Sequence, residues 1–240
     1  MLGTLVNAMA VLVGSTLGVL LRRRIPKGME DILMHGLGLA VLVIGWQMAR
    51  ESHNVVLLIL SMTIGGVLGH LLGIEAGLER LGTWAEARLG AREEGSTFAR
   101  AFVSSSLLFC VGPLTILGAF QGGLGQPPVL LYTKSVLDGV SSVAIGAALG
   151  PGVFLSAVTI LLYQGALTLL ASSAQMVMTP DVTREFSATG GLLVLGVGIN
   201  LLGLRPIRVG NLLPALLVVV VLTTVLPTLI SLARSLRILP

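Results

Sequence analysis

Long apolar segments separated by short polar connections dominate the chain. The first runs from Gly3 to Leu21 and is followed by basic residues, and the second runs from Ile32 to Ala49. Further apolar segments cover residues 55–73, 102–118, 128–150, 153–171, 186–203 and 212–232. A helix of about 20 apolar residues crosses the hydrocarbon core of a bilayer. The pattern therefore predicts an all-α integral membrane protein with about seven to eight transmembrane helices.

Helix breakers distinguish the centre of the chain from the other segments. Gly112 and Pro113 interrupt the fourth segment, and proline removes a backbone donor and clashes with the preceding turn. Glycines and prolines at 122–128 then precede a helix that begins at about Pro128 and ends before Gly150. We therefore expect discontinuous helices over 101–152. Residues 102–118 either cross the membrane or re-enter on the same side, and we favour the crossing.

Two ionisable residues, Lys134 and Asp138, lie deep in the helix from Pro128. They are four residues apart and therefore share one helix face. A charge in hydrocarbon costs about 2.5–3.5 kcal/mol even on a lenient insertion scale. Lysine before aspartate is also the weaker order for an intrahelical ion pair, because both charges then oppose the helix dipole. A structural ion pair is one interpretation, and we favour the other, a functional site within the membrane.

Hydroxyl side chains and glycines accompany this pair along the sequence. Hydroxyls in membrane helices also bond to the backbone, so their grouping around a broken helix is the informative feature. The predicted substrate- or ion-binding residues are Lys134, Asp138, Ser135, Ser141, Ser142, Thr115, Gly112 and Gly118. The start of the helix together with Lys134 favours an anionic or carboxylate-bearing solute, and Asp138 favours a proton or a cation.

The chain is predicted to form one transmembrane domain in four parts. Residues 1–73 form a first set of three helices, and residues 153–235 form a second set. Residues 101–152 hold the central discontinuous helices. Residues 74–100 mix charges of both signs with apolar residues at helical spacing, which predicts an amphipathic helix on the cytoplasmic surface, with a partner-binding or oligomerisation helix as the alternative. The two sets resemble each other faintly, and two spans between them would make an inverted repeat.

Glycines spaced by four residues predict close helix packing. Gly14 and Gly18 lie on one face of the first segment, and Gly65, Gly69 and Gly73 on one face of the third. Small residues at this spacing let helix backbones approach. Packing within the chain is the favoured interpretation, and an interface between copies of the chain in a homo-oligomer is the alternative.

Composition and charge exclude several classes of function. Hydrophobic residues make up 54% of the chain and charged residues only 11%, against about 25% charged in soluble domains. The net charge of +4 comes mostly from loop arginines, which indicate orientation in a membrane rather than nucleic-acid binding. The basic cluster at 22–27 places the N-terminus outside the cell. The single Cys110 and three separated histidines give no metal-ligand spacing, and no catalytic constellation is present. We therefore expect no enzyme activity, no metal and no cofactor.

Several motifs along the chain carry a resemblance to a known family. They are Gly3-Thr4-x-Val6-Asn7, Cys110-x-Gly112-Pro113-x-x-Ile116-x-Gly118, Lys134-Ser135-x-Leu137-Asp138-Gly139-x-Ser141-Ser142, Leu149-Gly150-x-Gly152-Val153 and Tyr163-Gln164-Gly165. Together they resemble the YdfK/YqgA-type family of bacterial membrane proteins of unknown function. Pro113 departs from the small or apolar residue expected there. The resemblance implies a bacterial inner-membrane location and brings no substrate or reaction with it.

These observations predict a secondary transporter that moves a small solute or ion across the bacterial inner membrane. Its site would lie at the central broken helices, with Lys134 and Asp138. The alternatives are an oligomeric ion channel and a structural or regulatory membrane protein without transport. The expected partners are the lipid bilayer and the solute or ion, and nucleic acid is not among them.

Overall fold

The computed structural model of the protein describes residues 1–22, 29–78, 80, 84, 97–110, 113–174 and 179–235. These residues form helices joined by turns, and none of them lies in a strand. Residues 74–78 are helical, and short 3-10 turns cover Pro151–Val153 and Val209–Leu212. The helices are α1 (Leu2–Arg22), α2 (Met29–Ala49), α3 (Val55–Leu72), α4 (Phe98–Cys110), α5 (Pro113–Gly123), α6 (Val129–Leu149), α7 (Phe154–Leu169), α8 (Ala171–Ala174), α9 (Pro180–Leu201) and α10 (Ala215–Ser235).

Several of these helices are long and apolar enough to cross a membrane. Among the described residues four meet both criteria: α1, α3, α6 and the stretch Pro151–Leu169 that contains α7. The bent pair α4 and α5 meets them when it is taken as one span. Shorter apolar stretches lie in α2, over Met34–Ala49, and across the start of α10, over Val209–Val225. This confirms the prediction of an all-α protein built from membrane-capable helices.

The helix predicted to break at Gly112 and Pro113 is discontinuous at that point. α4 ends at Cys110, α5 begins at Pro113, and the two axes differ by 63°. Proline at the first position of α5 loses no hydrogen bond, because first-turn N–H groups have no partner within the helix. Gly112 lies outside the described residues, and so does most of the amphipathic segment predicted over 74–100.

Helices α1 and α6 pack closely through the glycines of α1. A methyl group at Gly14 would overlap the carbonyl oxygen of Gly139, and one at Gly18 would overlap that of Val143. Residue numbers increase in the same direction along both helices, so α1 and α6 are parallel. This glycine stripe therefore serves packing within the chain, where the small residues let two backbones meet.

Helices α2 and α9 form a second close pair that runs antiparallel. Gly45 faces the backbone at Gly191, and Gly38 faces the backbone at Gly198. Each helix places its two glycines two turns apart, so the backbones approach at two levels. A larger residue at any of these four positions would separate the helices.

The bundle has an upper end, where α1 begins, and a lower end, where α1 finishes. At the lower end the Thr97 hydroxyl donates to the carbonyl oxygen of Leu149 at 2.5 Å, so α4 begins beside the end of α6. At the upper end Gly118 of α5 lies against Leu131, in the first turn of α6. The broken helix formed by α4 and α5 therefore runs from one end of the bundle to the other.

Helix α9 also runs the full height of the bundle. Near its start, at the upper end, the buried carboxylate of Glu185 accepts hydrogen bonds from the Ser52 hydroxyl at 2.6 Å and the His53 N–H at 2.9 Å. Near its finish the carbonyl oxygen of Asn200 accepts a hydrogen bond from Arg100, at the start of α4. The α2–α3 connection is thereby fixed to one end of α9 and the start of α4 to the other.

Helices α3 and α10 meet at the lower end. Gly65 and Gly69 of α3 lie against Ala215 and Asn211 at the start of α10. The Asn211 side-chain oxygen accepts a hydrogen bond from the Glu75 N–H at 2.9 Å. The end of α3 thus lies beside the start of α10, and the two helices run in opposite directions.

Candidate functional site

Lys134 and Asp138 form a buried ion pair in the first half of α6. The lysine Nζ lies 2.8 Å from each of the two carboxylate oxygens of Asp138. Each side chain is only 7% exposed. A buried ion pair is stable only with good geometry and with further hydrogen bonds to its members. The geometry of this pair is good, and the further hydrogen bond must come from another residue.

Asn7 of α1 supplies the further hydrogen bond. Its Nδ2 donates to Oδ2 of Asp138 at 3.0 Å, and the residue is fully buried. The carboxylate therefore interacts with side chains from two parallel helices. The other amide atom of Asn7, Oδ1, is buried without a hydrogen-bond partner in the described part of the chain.

Gln164 of α7 is a second buried amide near this cluster. It is fully buried, and neither its oxygen nor its nitrogen has a hydrogen-bond partner among the described residues. One turn further along α7, the Thr168 hydroxyl lies 3.4 Å from that of Thr4 on α1. Gln164 precedes Thr168 by about one turn, and Asn7 follows Thr4 by about one turn. Because α1 and α7 run in opposite directions, both residues lie below the threonines, towards the lower end. Gln164 and Asn7 therefore lie at the same level of the bundle.

The break between α4 and α5 lies beside the ion pair. Thr97 lies beside Leu149 of α6, and α4 runs antiparallel to α6, so helical rise brings α4 to the level of Lys134 and Asp138 where it ends at Cys110. Its thiol is free and buried. The carboxyl end of a helix carries partial negative charge, so the end of α4 favours a cation at this position.

The structure uses the predicted hydroxyls mainly for backbone bonds. Ser135 and Ser142 donate to carbonyl oxygens of the preceding turn of α6, at 2.6 and 2.7 Å, and Thr115 donates to a carbonyl oxygen of α4 at 3.2 Å. Ser141 is half-buried, and Gly118 packs against α6. These residues shape the surroundings of the pair, while the polar atoms left without partners belong to other residues.

Sequence reasoning missed Asn7 and Gln164 as site residues. Each is an amide side chain within an otherwise apolar helix, which is the signal that could have found them. The sequence does not reveal which neighbours these two side chains have. For Asn7 the parallel packing of α1 on α6 brings it to Asp138, and for Gln164 the Thr4–Thr168 contact fixes its level in the bundle.

A cavity of about 880 Å³ opens at the upper end, between α5, the start of α6, the start of α9 and the α2–α3 connection. Its polar lining consists of Glu51, His53, Gln121, Gln126, Thr179, Thr183 and Arg184. Leu130 lines it as well and lies one turn before Lys134 on the same face of α6. The cavity thus reaches α6 one turn above the ion pair.

A smaller cavity of about 250 Å³ lies at the lower end, between α4, the end of α9 and the residues after α3. Its polar lining consists of Glu75, Arg100, Ser104 and Asn200. The two halves of the broken helix therefore line different cavities: α5 lines the upper one and α4 the lower one. The ion pair lies between them along the bundle.

Comparison with known proteins adds the family. Residues 2–224 match the family described as Protein of unknown function (DUF554). The chain belongs to the DUF554 family. This DUF554 chain is similar to the "Uncharacterized membrane protein YdfK" of Bacillus subtilis (strain 168), with 30% identity over 91% of the chain and 93% of the relative. It is also similar to the "Uncharacterized protein YqgA" of Escherichia coli (strain K12), with 31% identity over 90% of the chain and 93% of the relative.

The match confirms the resemblance and the membrane assignment. It covers nearly the whole DUF554 chain, including every residue of the cluster described above. One relative is named as a membrane protein, in agreement with the apolar helices. No solved structure matches the chain. The function of this DUF554 protein must therefore be argued from its own site.

Proposed function

We propose that this DUF554 protein is a secondary transporter that moves a small solute or ion across the bacterial inner membrane. One observation carries the proposal: a buried cluster of ionisable and amide side chains lies beside a helix break, between cavities at opposite ends of the bundle. Ionisable residues within membrane helices commonly mark substrate or ion pathways. Discontinuous helices near the bilayer midplane commonly form transporter sites.

The directions of the helices support an eight-span topology. Helices α1, α2, α3, the pair α4 and α5, α6, α7, α9 and α10 run alternately between the two ends. Both termini then lie on one side of the membrane. The connections at the lower end contain, in sequence, Arg23, Arg24, Lys27, Arg80, Arg88, Arg92, Arg205 and Arg208. By the positive-inside rule the lower end faces the cytoplasm and the N-terminus lies outside.

The packing of α2 on α9 supports an inverted repeat. The two helices occupy equivalent positions in the first and second three-helix sets and run antiparallel. Gly38 and Gly45 match Gly198 and Gly191 across the contact, as a two-fold axis in the membrane plane would require. Two sets related in this way can rock against each other around a fixed central site.

The two cavities at opposite ends of the bundle support a mechanism of alternating access. The upper cavity ends at Leu130, one turn from Lys134, and the lower cavity ends along α4 at Val103 and Ser104. Neither of these cavities includes the ion pair, whose side chains are each 7% exposed, so both cavities stop short of it. A change in the angle between α4 and α5 would open it to one side at a time.

Flux into proteoliposomes tests the proposal. Purified protein is reconstituted, and uptake of cations, amino acids and organic acids is measured under a proton gradient, a sodium gradient or a membrane potential alone. Asp138→Asn removes the buried charge and keeps the side-chain shape. Asp181→Asn makes the same chemical change at a carboxylate that is 76% exposed, and it serves as the matched control.

We expect saturable, gradient-coupled uptake that Asp138→Asn abolishes and Asp181→Asn retains. Fast current that does not saturate would replace the transporter with the oligomeric channel. Absence of flux for every solute, with all proteins folded, would favour a structural or regulatory role.

A further inference from the structure

We propose that Asn7, Gln164 and Asp138 form a binding site for a sodium-sized monovalent cation, which competes there with the ammonium group of Lys134. The inference rests on the proposed transport function for its role, since the cation would be the coupling ion. Its binding, however, is a separate property that needs no transport to be measured.

The amide atoms left without partners are the first observation. Asn7 Oδ1 and both amide atoms of Gln164 are buried and form no hydrogen bond within the described part of the chain. A buried polar group without a partner has lost its hydrogen bonds to water and gained none in return, so it destabilises the fold. Both residues are fully buried, Asn7 contacts Asp138, and the helical rise from the Thr4–Thr168 contact places Gln164 at the level of Asn7. Two amide oxygens at one level of an apolar interface are suitable ligands for a desolvated cation.

The charge of the cluster indicates a monovalent cation. Asp138 supplies one negative charge, and Lys134 balances it at 2.8 Å from both oxygens. A monovalent cation that replaces the ammonium beside the carboxylate leaves the local net charge at zero when Lys134 releases one proton as the cation binds. A divalent cation would leave an excess positive charge in the apolar interior even after that proton is lost. Oxygen ligands from carboxylate and amide groups suit hard cations.

Further oxygens and a helix end lie around the same position. The hydroxyls of Thr4 and Thr168 meet one turn above the amides, 3.4 Å apart. The carboxyl end of α4 at Cys110 brings partial negative charge to the level of the pair. An anion would find fewer hydrogen-bond donors here, because Lys134 already donates to both oxygens of Asp138. The contacts therefore favour a cation over the anionic solute that the sequence suggests for Lys134.

Thermal unfolding of the purified full-length protein tests the site without transport. The unfolding temperature is measured in detergent with sodium chloride replacing choline chloride at constant ionic strength. Binding to the folded state should leave this temperature unchanged at sodium concentrations far below half-saturation and raise it by roughly 3–6 °C for each tenfold increase above half-saturation. Gln164→Leu should abolish the sodium-dependent rise. Gln47→Leu makes the same change at an exposed position of α2 and should retain it.

A second variant keeps the test decisive if Gln164→Leu does not fold. Thr168→Val preserves shape and removes one hydroxyl beside the amides, so half-saturation should need roughly tenfold more sodium. Thr16→Val, at an exposed position of α1, is its control.

No sodium-dependent rise in the wild type would overturn the site, even if flux is found. A rise that survives in both Gln164→Leu and Thr168→Val would overturn its assignment to these residues. A rise lost in Gln164→Leu, in a protein without any flux, would support the site and reject the transport proposal alone.

Discussion

Removal of the charges of Lys134 and Asp138, singly and together, should give opposite effects on stability. Asp138→Leu leaves the lysine charge buried without a partner, and Lys134→Met leaves the carboxylate charge buried in the same way. Each single change is expected to cost about 3–5 kcal/mol of unfolding free energy. The double variant leaves neither charge behind, and apolar replacements of a buried ion pair are often neutral or stabilising by about 1–4 kcal/mol.

Burial rather than distance sets this magnitude. The pair formed by Arg184 and Asp181 has the same separation of 2.8 Å, but its side chains are 33% and 76% exposed, against 7% for both members of the α6 pair. Because water screens the exposed pair, it contributes only about 0–1 kcal/mol to the free energy of unfolding. Asp181→Leu thus serves as a control at matched distance.

Thermal unfolding in detergent or lipid compares the variants. For a chain of this size each kcal/mol shifts the unfolding temperature by roughly 2–4 °C, so the single α6 variants should unfold on the order of 10 °C earlier than the wild type. The double variant should unfold near the wild-type temperature, yet it should carry no flux because the site has lost its charges. If Asp138→Leu costs no more than Asp181→Leu, or the double variant is as unstable as the sum of the single ones, the reasoning is refuted.

Two further predictions concern the packing and the upper end of the bundle. Gly14→Ala should lower the free energy of unfolding by about 1–3 kcal/mol, because its methyl group would overlap the Gly139 carbonyl oxygen. Gly36→Ala is the control and should be neutral, because its methyl group meets nothing within 4 Å. Thermal unfolding measures both variants, and equal effects would contradict the described α1–α6 contact. Glu185→Ala removes the acceptor that anchors the α2–α3 connection, so limited proteolysis there should be faster than in Asp181→Ala, and equal rates would argue against the anchor.

The helices could be predicted from the sequence because apolar length and helix breakers act locally. Proline chemistry alone predicts the interruption at Pro113, and α5 begins there. The start of α9 could not be predicted in this way. It lies at Pro180 rather than at Phe186, because the Thr179 hydroxyl accepts a hydrogen bond from the Val182 N–H at 3.3 Å and caps a polar first turn that reads as loop.

The site could be predicted only in part, because its composition depends on which helix faces meet. Lys134 and Asp138 could be predicted, because two ionisable residues within one apolar segment indicate a site without any knowledge of the neighbouring helices. Asn7 and Gln164 join them only through the packing of α1 against α6 and α7. The predicted hydroxyl of Ser135 turned instead to its own helix backbone, as short polar side chains in helices often do.

The most direct test of the central claim, that the cluster is a transport site reached from both sides, uses the single cysteine of the chain. Cys110 ends α4 at the level of the ion pair and is buried, and a thiol held permanently in apolar surroundings is inert. A small, charged, membrane-impermeant thiol reagent is applied from either side of oriented proteoliposomes, with Cys110→Ser as the control without a thiol. The account predicts labelling from both sides, with one rate falling as the other rises when the ion gradient is reversed. Labelling that requires unfolding of the protein would contradict it and leave the pair as a structural element.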